Sequence, residues 1–169
     1  MLNPTSKKSQ VLYDNKLFKG FQGFKTIKYL KDNLDEIPNT KGVYIVISNN
    51  KPTFLEKNKG GHFKNLDPTV SMDSLKEKWV EEEQIIYIGQ AGGNYSRSSL
   101  SHGITQFLDF GSGKPVTNWG GRYIWQLKET DDLVIAWKET FEDPRVVESM
   151  MLERFEAIHG KLPFANISR

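Results

Sequence analysis

The sequence predicts a single α+β domain over residues 1–169, with a small, mainly antiparallel β-sheet flanked by helices. Two segments predict the sheet, because GVYIVIS (residues 42–48) and QIIYIG (residues 84–89) are short, rich in β-branched residues and bounded by turn-forming residues. Apolar residues at helical spacing before, between and after these strands predict the helices. The chain length of 169 residues is typical of one domain with one substantial core.

Each predicted element has its own local signal. Residues 1–10 are polar and are expected to be flexible. In the last segment, Asp143 is a favourable N-cap, Pro144 suits the first helical position and Gly160 is a favourable C-cap. The predicted elements, in chain order, are a helix at residues 24–38, a strand at 42–48, a long insertion between the first two core strands at 47–84 that holds a short helix, a strand at 84–89, a helix around Leu100–Leu108, strands at 122–128 and 133–140, and a C-terminal helix that ends at Gly160.

The composition excludes several classes of protein. Lys and Arg total 23 against 21 Asp and Glu, so the net charge of +2 does not by itself predict nucleic-acid binding, and any attraction for phosphate must come from local patches. The absence of cysteine excludes disulfides and thiolate metal sites and fits a reducing compartment. The first residues do not form a signal peptide, and no apolar run approaches the roughly 20 residues of a membrane span. We therefore expect a cytoplasmic protein with no membrane partner.

The two strongest strands each carry a tyrosine beside a glycine, in the triplets GVY (residues 42–44) and YIG (residues 87–89). If these strands are antiparallel neighbours, the phenol groups of Tyr44 and Tyr87 can lie on one face of the sheet. Tyrosines on a sheet face usually serve in packing, so either triplet alone is weak evidence for a site.

The C-terminal helix adds a carboxylate to this pattern. Glu153 is placed at the margin of its apolar stripe, where a carboxylate can hold a cation over the sheet, although most helical glutamates are simply solvated. Asn166 follows in the segment PFAN. The residues taken to form the stripe are Val147, Met151, Phe155 and Ile158.

In this order, the segments KGVYIV, IIYIGQA, FGSGKPVTNWGGRYIWQL and MMLERF…LPFAN resemble the GIY-YIG nuclease family. The resemblance implies a GIY-YIG-like fold and hydrolysis of phosphodiester bonds in DNA with one Mg²⁺ or Mn²⁺ ion. It implies that Tyr44 and Tyr87 position or activate the attacking water and that Glu153 binds the metal. Gly89 is expected to let the chain turn close to the site, and Asn166 to support its geometry. Oxygen ligands are the ones that Mg²⁺ prefers.

The sequence departs from the family at the arginine that should clamp the phosphate. Arg97 lies ten residues after Tyr87, a separation common in the family, whereas the helix pattern places Gly103 at the arginine position. Either Arg97 reaches the site from the start of the helix, or Arg122 or His102 substitutes, or catalysis is impaired. Loss of such a donor typically lowers a rate by about 10²–10³-fold.

Basic residues outside the motifs suggest where DNA could bind. The insertion holds Lys57, Lys59 and Lys64 interleaved with phenylalanines, a combination that can bind a phosphate backbone and stack on bases. Trp119 precedes two glycines whose backbone amides a phosphate could approach, and Lys161 follows the last helix. The alternative is an ordinary solvated loop and a β-bulge.

Two functions of different classes follow from these observations. The first is a metal-dependent endonuclease with Tyr44, Tyr87, Arg97 and Glu153 in its active site. The second is a GIY-YIG scaffold that has lost its clamp at Gly103 and only binds a nucleic acid or a protein. A third and weaker possibility is unrelated small-molecule chemistry, since fold does not fix function. The substrate structure, the biological role and the oligomeric state stay open.

Overall fold

A computed structural model describes residues 2–93, 97–116 and 120–168 of the chain. This part is an α+β fold with a four-stranded antiparallel sheet flanked by five helices, as the sequence predicts. The strands lie in the order β1–β4–β2–β3. The elements are α1 (Lys7–Asp14), β1 (Gln22–Thr26), α2 (Ile27–Lys31), β2 (Gly42–Ile47), α3 (Met72–Lys78), β3 (Ile85–Ala91), α4 (Leu100–Gly111), β4 (Val134–Glu139) and α5 (Pro144–His159), with short 3₁₀ helices at Lys16–Phe18, Leu34–Glu36 and Arg122–Gln126.

Strand β2 lies inside the sheet and positions its neighbours. All six of its residues are buried, because β3 and β4 pair with its two edges and a hydrophobic core covers each of its faces. Tyr44 therefore lies opposite Gly89 of β3 and opposite Trp137 of β4. The free edge of β3 is covered by the C-terminal segment, in which the Ala165 amide donates to the Ile86 carbonyl oxygen at 2.8 Å.

The two faces of the sheet carry separate cores. On one face, β2 and β4 pack against α4, α2 and the connection between β2 and β3, and this core contains Tyr44, Trp125 and Phe107. On the other face, alternate residues of the same strands pack against α1 and α5. The helix α5 thus covers the face opposite to α4, and β3 contacts both helices.

A buried polar cluster ties α1 and α5 to the start of β3. The Glu83 carboxylate accepts hydrogen bonds from the Tyr13 hydroxyl, from Ser9 Oγ at 3.0 Å and from the Ile85 amide at 3.1 Å, and it lies 2.8 Å from His159 Nε2. Burial raises the pKa of Glu83, but these hydrogen bonds outweigh burial and the net pKa is lowered. Residues 7–10, expected to be flexible, instead belong to α1, in which Ser9 is buried.

The sequence-based prediction of one helix over residues 24–38 is wrong. Residues 22–26 form β1, which pairs with β4, and only Ile27–Lys31 continue as α2 after the Thr26 N-cap. The cause is tertiary: Gly23 lies against the ring of Trp137, where a Cβ would come within 2.7 Å, so the chain pairs closely with β4 before the helix begins.

The prediction of a third strand at residues 122–128 is also wrong. Arg122–Gln126 form a 3₁₀ helix that begins after Gly121, whose φ of 78° is left-handed. Four consecutive residues of this segment, from Tyr123 to Gln126, are buried, so it has no face turned to solvent as an alternating strand would. Consequently β4 is not the second strand of a hairpin but pairs with β1 and β2.

The connection between β2 and β3 packs on the body of the domain. Phe54 contacts Trp79 and Phe164 with ring centroids 6.2 and 5.8 Å away, and it forms an isolated β-bridge with Leu127. The Gln126 side chain donates from Nε2 to the carbonyl oxygens of Leu55 and Val70 at 2.9 and 2.7 Å, which fixes the connection. Across the described ranges, no helix has both the length and the apolar character to cross a membrane.

Candidate active site

A cavity of about 590 Å³ opens where the end of β3 meets α4 and the first turns of α5. Tyr44 and Tyr87 line it from the sheet, and Gly103, Phe107 and Phe110 line it from α4. Its remaining polar lining comes from residues on β3, α4, α5 and the segments just before and after α4, namely Gln90, Ser98, Gln106, Asp109, Lys114, Arg145 and Glu148.

The two motif tyrosines lie side by side in this cavity. Their ring centroids are 6.0 Å apart with an interplanar angle of 25°, and each also contacts the ring of Phe107. Glycines make this arrangement possible. A Cβ on Gly89 would lie 2.5 Å from Cζ of Tyr44, and a Cβ on Gly121 would lie 2.9 Å from Cε1 of Tyr87. The phenol pair is thus held in place by close packing on several sides.

Both phenols are neutral near physiological pH. Burial raises the pKa of Tyr44 and of Tyr87, and the nearby Glu148 carboxylate raises both further. The two hydroxyl groups also interact with each other. A neutral phenol donates and accepts hydrogen bonds, so these groups are suited to positioning a water molecule or a phosphate oxygen and poorly suited to removing a proton as phenolates.

The carboxylate that faces the tyrosines belongs to Glu148. Its side chain lines the cavity from the second turn of α5. Burial raises the pKa of Glu148 to about 7, because the charged form loses part of its hydration. The group is therefore poised to change charge near neutral pH, as a general base or a cation ligand must be able to do.

The structure contradicts the placement of Glu153 in the site. Glu153 is exposed and does not line the cavity. The buried residues of α5 are Pro144, Val147, Met151, Leu152 and Phe155. Successive residues of a helix are about 100° apart, so Glu153 lies roughly 175° from the centre of this buried arc and Glu148 only about 35° from it. The helical spacing therefore already indicates that Glu148 lies near the buried side of α5 and Glu153 on the exposed side.

The cationic residues predicted for the site are not those that line it. Arg97 and His102 are exposed and absent from the cavity lining. Arg122 lies in the 3₁₀ helix, also off the lining, with its guanidinium carbon 5.7 Å from the ring centroid of Tyr123. In the described ranges, the basic side chains that do line the cavity belong to Arg145 and Lys114. Sequence reasoning missed both.

Gly103 has a packing role. A Cβ at this position would lie 2.9 Å from Cβ of Ala91, so α4 approaches β3 too closely for a larger side chain. The helix can make this approach only with glycine, at a cost of about 1 kcal/mol in helix propensity.

Asn166 supports the strand that carries the tyrosine. Its side-chain Oδ1 accepts from the Ile88 amide and its Nδ2 donates to the Ile88 carbonyl oxygen, both at 2.9 Å. This buried amide completes the hydrogen bonding of β3 at its free edge, between Tyr87 and Gly89. Asn166 does not line the cavity, so its role in the structure is to position β3.

The basic residues proposed to bind DNA differ in their surroundings. Lys57 and Lys64 are exposed, with Lys57 Nζ 4.0 Å from an Asp67 carboxylate oxygen and Lys64 Nζ 5.1 Å from the ring centroid of Phe63. Lys59 donates to the Lys128 carbonyl oxygen and to Thr130 Oγ1, at 3.2 and 2.8 Å. None of these lysines lines the cavity.

Lys161 has a structural role as well. Its Nζ donates to the carbonyl oxygens of Glu77 and Trp79, at 3.1 and 2.7 Å, and so holds the end of α3. Lys161 is not part of the cavity lining either. Trp119 lies outside the described residues.

The oxygen atoms of the cavity fit a hard divalent cation with few protein ligands. Burial raises the pKa of the Glu148 carboxyl, and in the described part of the chain the buried Gln90 Oε1 on the cavity wall has no hydrogen-bond partner. The same part of the chain contains no group of three or more His, Cys, Asp or Glu that could hold a metal. Mg²⁺ commonly binds through one or two carboxylates and keeps several waters, so Glu148 is the residue that would hold it.

Comparison of the chain with protein-family models, curated proteins and solved structures finds no match.

Proposed function

We propose that the protein is a metal-dependent endonuclease that hydrolyses phosphodiester bonds in DNA. The observation that carries the proposal is the convergence of Tyr44, Tyr87 and Glu148 on one cavity, with glycines leaving room for the phenol rings. The order of the motifs, which resembles the GIY-YIG nucleases, supports the same function. The metal-binding carboxylate in this function belongs to Glu148 and not to Glu153.

The role proposed for each residue of the cavity follows from its protonation state. The neutral phenols of Tyr44 and Tyr87 orient the attacking water and a phosphate oxygen by hydrogen bonds. Glu148 would hold the divalent cation with its carboxylate, which must be ionised to do so. When bound, Mg²⁺ or Mn²⁺ lowers the pKa of a coordinated water and stabilises the charge that develops on the phosphate.

The binding-only function rested on Gly103 in place of a clamping arginine. Close packing on Ala91 gives that glycine a structural role of its own, so the glycine by itself does not favour a protein that only binds. A Gly103→Arg substitution would not separate the two functions, because the larger side chain would displace α4. We also expect the protein to act in the cytoplasm, since a chain without cysteine needs no oxidising compartment.

The test is cleavage of supercoiled plasmid and of single-stranded, duplex and branched oligonucleotides, each with Mg²⁺, Mn²⁺ or EDTA. We expect cutting that requires the metal and that falls by about 10²-fold or more in Tyr44→Phe/Tyr87→Phe. Tyr29→Phe is a matched control, because Tyr29 is 40% exposed on α2, beside the strand at the opposite edge of the sheet. The absence of metal-dependent cutting on every substrate would refute the nuclease, as would equal rates for the double variant and the wild type.

A further inference from the structure

We propose that Arg145, on the first turn of α5, is the residue that binds the scissile phosphate. This inference rests on the proposed nuclease function. Phosphodiester cleavage builds negative charge on the phosphate oxygens, and a positioned guanidinium stabilises that charge through charge-assisted, bidentate hydrogen bonds. The cation must therefore reach the cavity that holds Tyr44, Tyr87 and Glu148.

Arg145 meets this requirement by its position. It lines the cavity and lies three residues before Glu148, so the two side chains project from neighbouring turns on one side of α5. A helix built in this way offers a cation and a carboxylate to the same space. The carboxylate suits a metal ion, and the guanidinium suits the phosphate that the metal ion also contacts.

Gly93, two residues after β3, lies against the Arg145 side chain. A Cβ on Gly93 would lie 2.9 Å from both Cγ and Nε of Arg145, so the glycine lets the side chain lie directly against the cavity rim. The side chain is still 56% exposed. The stem of the side chain is thereby supported by Gly93 while the guanidinium keeps access to a ligand.

The ion pair of Arg145 leaves hydrogen-bonding capacity for a phosphate. Nη2 lies 3.4 Å from Oδ2 of Asp143, and the guanidinium has five N–H donors in all. Asp143 also caps α5, because its Oδ1 accepts from the Arg145 backbone amide at 3.0 Å. Since the cap depends on the backbone amide of Arg145, removing the side chain should leave the start of the helix intact.

The competing cations are less suited to this role. Lys114 lines the cavity, but it pairs with Asp109 at 3.2 Å and offers a point charge without the bidentate geometry of a guanidinium. Arg97 is exposed outside the lining. Gly103 cannot be replaced by a cation while α4 contacts Ala91. The clamp has thus moved from the helix after the YIG strand to the helix that carries the carboxylate.

Cleavage kinetics of Arg145→Ala, Arg145→Lys, Arg97→Ala and the control Lys28→Ala test this inference. Lys28 is exposed on α2, after the strand at the opposite edge of the sheet. We expect Arg145→Ala to lower kcat by about 10²–10³-fold and Arg145→Lys to recover part of the loss, with Arg97→Ala and Lys28→Ala near the wild type. Wild-type kcat in Arg145→Ala, or a loss confined to Arg97→Ala, would overturn the inference.

A binding measurement separates this inference from the function on which it rests. Affinity for a short single-stranded oligonucleotide is measured in EDTA over a range of salt concentrations. We expect Arg145→Ala to reduce the slope of log affinity against log salt by about 0.7, the value for one lost phosphate contact. If the wild type cuts no DNA, the nuclease function is refuted, and the salt dependence still tests whether Arg145 contacts a phosphate. An unchanged slope then overturns the phosphate contact.

Discussion

Glu148→Gln is expected to stabilise the folded protein at pH 8 and to leave its stability unchanged at pH 4.5. A carboxyl whose pKa is raised on folding binds its proton more tightly in the folded state. The contribution of Glu148 to the free energy of unfolding is then most favourable below the ordinary pKa of 4.5, and it falls as the pH rises towards and through about 7. Glutamine fills the same volume without the charge, so the variant escapes this loss.

The expected magnitude follows from the same pKa. The difference between the ordinary pKa of 4.5 and a pKa of about 7 lowers the free energy of unfolding by at most about 3 kcal/mol when the carboxyl is fully ionised. Partial access to solvent screens the charge, so we expect Glu148→Gln to raise the free energy of unfolding by about 1–2 kcal/mol at pH 8. Urea denaturation in metal-free buffer at pH 4.5 and pH 8 measures both values. Glu153→Gln, on the exposed side of the same helix, should change the free energy of unfolding by less than about 0.5 kcal/mol at either pH.

The substitution that stabilises the fold should also remove the metal and the activity. In the wild type at pH 8, Mg²⁺ should raise Tm, since a ligand that binds only the folded state stabilises it by mass action. Glu148→Gln should show no such rise and should cut DNA at least about 10²-fold more slowly, while Glu153→Gln behaves as the wild type. The assignment of Glu148 as a buried, metal-binding carboxylate would be refuted if Glu148→Gln changed the free energy of unfolding equally at pH 8 and pH 4.5, or if the Tm of the variant still responded to Mg²⁺.

Two further substitutions test the packing around the site and the buried cluster behind it. Gly89→Ala should lower the free energy of unfolding by about 1–3 kcal/mol and slow cleavage, because its Cβ would lie 2.5 Å from the Tyr44 ring; equal urea midpoints would contradict this. Glu83→Gln should destabilise the protein by about 2–4 kcal/mol at pH 7, since the buried carboxylate holds partners that include His159. Because the pKa of Glu83 is lowered, its carboxylate stabilises the folded protein above pH 4.5 and loses this effect as the pH falls further. The difference in the free energy of unfolding between Glu83→Gln and the wild type should therefore shrink below pH 4.5, and an equal difference at pH 3 and pH 7 would refute this role of Glu83.

The parts of the fold that could be predicted from sequence are those whose signal is local. Strands β2 and β3 were predictable because their β-branched runs are bounded by turn-forming residues, and α5 was predictable from its caps. Strand β1 was not, since it forms only because Gly23 allows the chain to lie against Trp137 of a strand about 110 residues away. The 3₁₀ helix after Gly121 was missed for a similar reason, because its run of buried residues carries no helical or strand period.

Some residues of the candidate site could likewise be predicted from the sequence, and others could not. Tyr44 and Tyr87 were identified from their strands, and the pairing of β2 with β3 brings them together. Glu148 could have been identified by placing each residue of α5 at its helical angle, which turns Glu153 away from the sheet. Arg145 could not have been, because its place in the cavity depends on how the first turn of α5 meets the loop at Gly93, and no local pattern encodes that contact.

Glycine positions connect the packing of the domain to its proposed chemistry. Gly89 and Gly121 each leave the space that one phenol ring occupies, and Gly103 leaves the space in which α4 meets β3. A side chain at any of these positions would have to move a ring or a helix, so the arrangement of the phenols is fixed by close contacts and does not depend on a ligand. Preorganisation of this kind is what a catalytic site requires, because groups already in place need no reorganisation as charge develops. A surface that only binds DNA has no comparable need for two neutral phenols beside a desolvated carboxylate, and this difference favours the nuclease over the binding module.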